Sequence, residues 1–288
     1  MSAAPPSDPP SERLKLALVT DIHYGPNAYT KRGEDAPALV ETVVAAASAL
    51  GADRFVELGD RLSDCSEAED RERLTKLAEL FARCGGPRTH LLGNHDIVHL
   101  SRREIGHILD CETAHHSVDE KGWHLVFWNA DPHYPDGLEI APGDLEWLEA
   151  DLAATRLPSV VFSHVPLDDA AMIGNFYFKT RPEGRAGFLN AAAAREVIER
   201  SEKVVLAVAG HVHRNQLSTI DGIHYLSLQS LTESFTTHPY PSGAWATLEL
   251  DHEIHWQVHG REPLAMTLPI KVLEHHWLRR RDFLSGSA

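Results

Sequence analysis

Leu14-Lys15-Leu16-Ala17-Leu18-Val19-Thr20-Asp21-Ile22-His23 is an apolar run that ends in a carboxylate and an imidazole two residues apart. Residues 14–20 read as a strand, nearly continuous in apolar side chains as strands covered on both faces are. The same punctuation recurs along the chain. Gly59-Asp60 follows a strand pattern from Arg54 to Leu58, and Gly93-Asn94-His95-Asp96 follows one from Arg88 to Leu92. Ser163-His164 closes Ser159 to Phe162, and Gly210-His211-Val212-His213 closes Lys203 to Val208, while His124 to Trp128 is a further strand pattern. Helical patterns lie between them: Ala36 to Leu50, Ser66 to Cys84 with a Ser66/Glu69 capping box, and Ser101 to Leu109 with Ser101/Glu104. Another stretch, capped by Asn190, ends near Arg200. Strands alternating with helices predict an α/β fold. After Ala209, Gly222 to Leu228, Ala244 to Leu250 and His252 to His259 read as consecutive strands with turns at Asp221-Gly222 and Asp251-His252, so antiparallel pairing is expected there.

Composition narrows the setting. The chain has 288 residues, 43 % of them hydrophobic, enough for one sizeable core. Residues 1–12 are rich in Ala, Pro and Ser and read as a disordered leader, 13–260 as one catalytic domain, and 261–288 as a tail that wraps the domain or a partner subunit. No run is long enough to span a membrane. Cys65, Cys84 and Cys111 are odd in number and widely spaced, against a disulfide framework and for a cytoplasmic setting. The formal charge of −15 argues against a stable nucleic-acid binder. An anionic substrate then needs local positive charge, which bound metal ions supply.

The chemistry collects where the strands end. Open α/β sheets bind ligands in the crevice outside the carboxyl ends of their strands, and five polar clusters of this chain fall at such ends. Carboxylate, imidazole and amide oxygen together suit manganese, iron or zinc, whereas calcium takes nearly all oxygen. Each cluster alone has a plainer reading: Gly-Asp is an ordinary turn, and a single His at a strand end is commonly a hydrogen-bonded structural residue. The order, types and strand-end positions of all five together carry the inference of a two-metal hydrolase site. Two ions about 3.5–4 Å apart lower the pKa of a water to give hydroxide near neutral pH and bind the oxygens of a phosphoryl displacement.

DxH, GD, GNHD, H and GHxH, in that order from Asp21 to His213, resemble the pattern of the calcineurin-like metallophosphoesterases. The resemblance implies a four-layer sandwich of two mixed β-sheets with helices outside. It also implies that Asp21, His23 and His213 hold one metal, that Asn94, His164 and His211 hold the other, and that Asp60 bridges them. His95 is then not a ligand but the group that donates a proton to the departing alkoxide or binds a developing oxyanion, and Asp96 either orients its ring or caps the following turn. Arg61-Leu62-Ser63-Asp64 lacks the GDxVDRG pattern of the Ser/Thr protein phosphatases, and Ser63 stands where purple acid phosphatases place a tyrosine.

The length and uninterrupted GNHD resemble small phosphodiesterases of the cyclic-nucleotide and glycerophosphodiester kinds. A phosphomonoesterase, a pyrophosphatase of ADP-ribose or CDP-alcohol type, and a non-catalytic scaffold stay open as alternatives. Substrate contacts are expected from 168–188, where Phe176 and Tyr177 can stack on a base and Lys179, Arg181 or Arg185 can meet phosphate; the segment reads as a lid or as a plain surface loop. Ser234 to Trp245 is a second such candidate. A small phosphate ester is the expected partner, and a homo-oligomer is possible.

Overall fold

A computed structural model describes residues 12–131, 137–180 and 184–270. The strand β1 (Leu14–Val19) sits centrally in the first sheet, parallel to β2 (Arg54–Glu57), which is parallel to β3 (Arg88–His90). On its other edge β1 pairs antiparallel with β10 (Trp245–Leu250), followed by β11 (Glu253–His259) and β12 (Leu264–Pro269). The second sheet runs β4 (His116–Glu120), β5 (Trp123–Phe127), β6 (Ser159–Phe162), β7 (Val204–Ala209), β9 (Ile223–Ser227), β8 (Gln216–Ile220), with β5, β6, β7 and β9 mutually parallel. The three strands expected in the C-terminal part divide between the sheets: β9 joins the second, parallel to β7 and antiparallel to β8, while β10 and β11 join the first, antiparallel to their neighbours.

Side-chain alternation explains why the central strands are apolar throughout. Leu14, Leu16 and Leu18 face Leu125, Phe127, Val160 and Phe162 of the other sheet, while Ala17 and Val19 face the helices α1 (Ala36–Ala49) and α2 (Glu67–Phe81) through Val43, Leu74 and Leu77. α3 (Arg102–Leu109) closes the same side. Val126 and Val161 face outward onto α4 (Pro142–Ala154) and α5 (Ala191–Ser201) through Leu148, Ala194 and Ile198. Three apolar layers between four layers of secondary structure define the sandwich.

Ser101 and Glu104 form a complete capping box on α3, and Ser66 accepts a hydrogen bond from the Glu69 N–H at α2. Asn190 precedes α5 without capping it: its side chain instead accepts from the Ile140 N–H and donates to the Ile140 carbonyl, both at 2.9 Å, tying two loops together. The strands β4, β8 and β12 and the helix α4 carry no pattern that predicts them, since β4, β8 and β12 are sheet edges with partly exposed, mixed side chains. β12 places 264–269, part of the stretch read as a tail, inside the first sheet.

His124 joins β5 to its surroundings. Its ring meets Asp119 of β4 at 2.6 Å and Asp151 of α4 at 3.0 Å, and against the opposing effect of burial these carboxylates raise its pKa above the ordinary 6.5. A raised folded-state pKa contributes stability that is present below the unfolded value and lost as pH rises through the folded one. His124→Gln is expected to lower Tm by about 2 °C more at pH 5.5 than at pH 8.5, read by thermal denaturation across that range.

Candidate metal centre

The five strand ends meet at one rim, and the chain turns there in the left-handed region. Asp21, His23, Asp60, His211 and His213 all have positive φ, between 47° and 65°. Each such residue costs on the order of 1–2 kcal/mol relative to ordinary backbone. Hydrogen bonds between loops hold them in place: the Asp21 N–H donates to the Gly59 carbonyl at 3.0 Å, the His23 N–H to the Asp60 carbonyl at 2.9 Å, and the His211 N–H to Asp21 Oδ2 at 2.8 Å. Gly93 and Gly210 are required by close approach, since a Cβ at either would overlap the Asp60 carboxylate or Thr20 and Asp21.

Asp96 fixes two of these loops together. Its carboxylate accepts the N–H groups of Asp60 at 2.8 Å, Arg61 at 2.9 Å, Leu62 at 3.3 Å and Gly93 at 2.9 Å. The fully buried Arg61 lies behind it, bonded to Glu57 at 2.8 Å and to the Leu91 carbonyl. The orienting role considered for Asp96 is thus corrected: all its acceptor capacity goes to backbone, and His95 Nδ1 meets Asp64 Oδ1 instead, at 2.6 Å. Asp64, four residues beyond Asp60, was visible only as one more acidic loop residue.

Each carboxylate at the rim gives one oxygen to the protein and turns the other inward. Asp21 Oδ2 accepts from Thr20 Oγ1 at 2.7 Å, while Oδ1 faces His213 Nε2 at 3.2 Å and His23 Nε2 at 3.8 Å. Asp60 Oδ1 accepts the His95 N–H at 2.8 Å, while Oδ2 faces His164 Nε2 at 3.4 Å and His23 Nε2 at 3.8 Å. The outer nitrogens of the imidazoles are tied back in the manner of metal-binding histidines. His23 Nδ1 meets the Leu62 carbonyl, His164 Nδ1 the Leu58 carbonyl, His211 Nε2 the Arg185 carbonyl and His213 Nδ1 the carboxylate of Glu233. Glu233, fully buried and bonded to the N–H groups of Ser234 and Phe235, has no sequence signal beyond being an acid in a polar stretch.

Two groupings of possible ligand atoms result, Asp21 with His23 and His213, and Asp60 with His164 and His211; a third joins His23, Asp60 and His95. The donor set fits cations. Asp21 Oδ1, Asn94 Oδ1 and His164 Nε2 are buried polar atoms without a hydrogen-bond partner, and such orphans cost about 1–3 kcal/mol each unless something meets them. His23 Nε2 and His213 Nε2 lie 2.9 Å apart, a spacing that two unprotonated nitrogens tolerate only with a proton or cation between. Burial would lower the pKa of His164 and His213, yet Asp60 and Asp21 respectively raise them to about 9. His211 is pushed down to about 4 by burial and by the charge of His164. Burial would raise Asp60, but the charges of His164, His95 and His23 hold it well below the usual carboxylate range.

A cleft of about 210 Å³ opens over this cluster, lined by Lys31, His95, Tyr177, Phe178, Arg185 and the inward ligand atoms. Tyr177 packs edge-on to His213 and Phe178 tilts over His211, each with ring centroids 5.1 Å apart. The buried Asn175 holds both in place: Oδ1 accepts their two N–H groups and Nδ2 donates to the Val212 carbonyl at 2.7 Å. Phe176 points outward and stacks on Phe235 at 6.5 Å. Lys179 is exposed and is not among the residues that line the cleft, and Arg181 lies outside the described residues. Lys31 and Arg185 take the cationic positions on the cleft wall, and nothing in the spacing around Lys31 pointed to it. A larger cavity of about 430 Å³ shares Phe178 but none of the candidate ligands.

The calcineurin-like phosphoesterase model matches residues 14–215, well over half of the chain, and the chain belongs to that family. It is a metal-dependent phosphoester hydrolase, and the family uses two metals. Among solved structures the fold is similar to a dimetal phosphatase from Danio rerio, with a TM-score of 0.72 and 15 % identity over 89 % of this chain and 99 % of that one. It is similar also to the purple acid phosphatase PPD1 from yellow lupin (TM-score 0.62, 12 % identity, 92 % of this chain and 55 % of that one). GAP50, the anchor in the inner membrane complex of Plasmodium, is a third likeness (TM-score 0.60, 11 % identity, 91 % and 93 %). At such identities these are likenesses of fold. No curated protein matches the sequence. Among the described residues no helix is long and apolar enough to cross a membrane.

Asp96→Ala strands four backbone donors in a buried site. It is expected to destabilise the protein by at least about 3 kcal/mol in denaturant unfolding and to lower bound metal measured by mass spectrometry.

Proposed function

We propose that the protein is a hydrolase of small phosphodiesters that works with two transition-metal ions. Asp21, His23 and His213 would hold one ion and Asn94, His164 and His211 the other, with Asp60 between them; the mixed oxygen and imidazole donors suit manganese, iron or zinc. When bound, the pair supplies an acidified water and positive charge for the phosphoryl oxygens. The chain's own residues do the rest. His95 has Nδ1 engaged by Asp64, so its remaining nitrogen, Nε2, is the one able to donate a proton to the leaving alkoxide. The Asp64 carboxylate stabilises the protonated ring, and the His95 N–H holds the inward-facing Asp60 in its orientation.

The observation that favours a diester is the apolar wall. One aromatic ring stands beside each of His213 and His211, and the Phe176/Phe235 pair lies beyond Tyr177. A phosphodiester brings two organic substituents to such a surface and a monoester only one. The small cleft volume restricts the substrate to the size of a nucleotide or smaller at the reacting end.

The reading is tested by stripping the protein of metal, reloading it with manganese, and comparing initial rates on bis(p-nitrophenyl) phosphate and p-nitrophenyl phosphate. Metal-dependent preference for the diester is expected, and preference for the monoester would overturn it in favour of a phosphatase. His95→Ala is expected to keep its full metal content while kcat falls about 10²–10⁴-fold; loss of metal with that change would make His95 a ligand. Asp64→Asn is expected to fall less in rate, and Asp60→Asn to lose both metals.

A further inference from the structure

We infer that Glu233 is a positioning residue that makes the two cation positions of the centre unequal, so that the position of Asp21, His23 and His213 fills first and holds its ion more tightly than that of Asn94, His164 and His211. The inference rests on the two-metal reading and sets the order in which the centre loads.

The four imidazoles assigned to metal are not backed alike. His23 Nδ1 meets the Leu62 carbonyl at 3.3 Å, His164 Nδ1 the Leu58 carbonyl at 2.9 Å and His211 Nε2 the Arg185 carbonyl at 2.8 Å. His213 alone among them has a carboxylate behind it, with Glu233 Oε2 at 3.0 Å from Nδ1. A carbonyl and a carboxylate each fix the tautomer and leave the opposite nitrogen able to bind a cation, but the carboxylate also brings a full negative charge and raises the basicity of the ring. The His213 Nε2 so prepared lies 3.2 Å from Asp21 Oδ1 and 2.9 Å from His23 Nε2, the other two donors of its grouping.

Glu233 is built into this one position. Its side chain is fully buried, Oε1 accepts the N–H groups of Ser234 at 2.7 Å and Phe235 at 3.0 Å, and its own N–H donates to Ser230 Oγ at 3.2 Å. Two hydroxyls of the same segment reach the loop that carries Asp21 and His23: Ser230 Oγ donates to the Asp21 carbonyl at 2.7 Å and Thr232 Oγ1 to the Ile22 carbonyl at 3.0 Å. Among the described residues no Lys or Arg side chain pairs with Glu233, and its ion-pair partner is the ring of His213. A buried carboxylate without a fixed cation opposite it is unfavourable unless a positive charge reaches it through its partner, and a cation on His213 Nε2 is that charge.

The second position has no counterpart. Asn94, His164 and His211 bring no negative charge of their own, and backbone carbonyls stand behind both of its rings. Asp60 serves the two positions together, with Oδ2 at 3.4 Å from His164 Nε2 and 3.8 Å from His23 Nε2. Lys31 and Arg185, the cations of the wall, line the cleft that both positions share. The first position therefore sets Asp21, Glu233 and a share of Asp60 against its ion, and the second only its share of Asp60. Inside a water-excluded centre such a difference in carboxylate charge decides which position a scarce divalent cation enters.

The test titrates manganese into the full-length, metal-stripped protein by calorimetry, with bound metal counted by mass spectrometry, in the wild type, Glu233→Gln, Asn94→Ala and the double variant. The wild type is expected to take up two ions in two separable steps. Asn94→Ala, which removes a donor of the second position, is expected to weaken or abolish the looser step and leave the tight one. Glu233→Gln is expected to weaken the tight step about 10- to 100-fold and to leave the looser one within about threefold, and the double variant to show the same loss on its remaining step. A merely structural role for Glu233 would weaken both steps alike. Glu233→Asp keeps the charge but withdraws it from Nδ1 by one methylene; it is expected to lose affinity on the tight step only, and it is the deciding variant where circular dichroism shows the Gln chain unfolded. Two ions bound equally tightly by the wild type, or equal weakening of both steps by the Glu233 variants, would overturn the inference. Fewer than two ions in the wild type would instead refute the two-metal reading, and the inference with it.

Discussion

The clasp of Asp96 on four backbone N–H groups is the constraint on which the rest of the centre depends. It binds the loop after β2 to the loop after β3, and those loops carry Asp60, Asn94 and His95. A buried carboxylate bonded to several amides is an unusually strong anchor, because each bond is charge-assisted and water does not compete for it. Arg61 supplies the opposing charge, at 3.4 Å from Asp96 and 2.6 Å from Glu57. Breaking one member of such a network leaves an uncompensated buried charge, which is why its members are coupled in their effect on stability.

That anchor makes the unusual backbone of the rim tolerable. Five candidate ligands occupy left-handed conformations, which a free chain adopts rarely for residues other than glycine. The compensating terms come from bonds between loops and from the three packed layers beneath. The conformational cost is met before any ligand arrives, so the donor atoms are preorganised and the carboxylate and imidazole edges converge without further rearrangement.

A second coupling runs through Asn175. One buried amide holds Tyr177 and Phe178 against the two imidazoles of the GHVH loop, so the surface that meets the substrate's organic parts is built directly on the groups proposed to hold metal. Glu233 makes the corresponding link on the other side, reaching His213 by its carboxylate and the Lys31 turn through an isolated strand pairing. Changes in the substrate-facing segments are therefore transmitted to the ligand histidines over single contacts.

The sequence by itself determined the α/β class, the central strands, the N-terminal caps at Ser66 and Ser101, and the residues that gather at the rim. These are local properties: continuous apolar runs mark strands covered on both faces, and metal-type donors immediately after such runs emerge at one end wherever the strands run parallel, as β1, β2 and β3 do in one sheet and β6 and β7 in the other. What only the tertiary structure decided are relations between distant segments. The edge strands β4, β8 and β12 were hidden because an edge needs little apolar patterning. Asp64 became the partner of His95, and Asp96 the loop clasp, because hydrogen-bond geometry between two loops distinguishes carboxylates that composition treats alike. Glu233 and Lys31 were silent because nothing local marks an acid whose partner lies 20 residues away or a cation aimed into a cleft. Their roles follow from burial and proximity, which arise only when the two sheets close on one another.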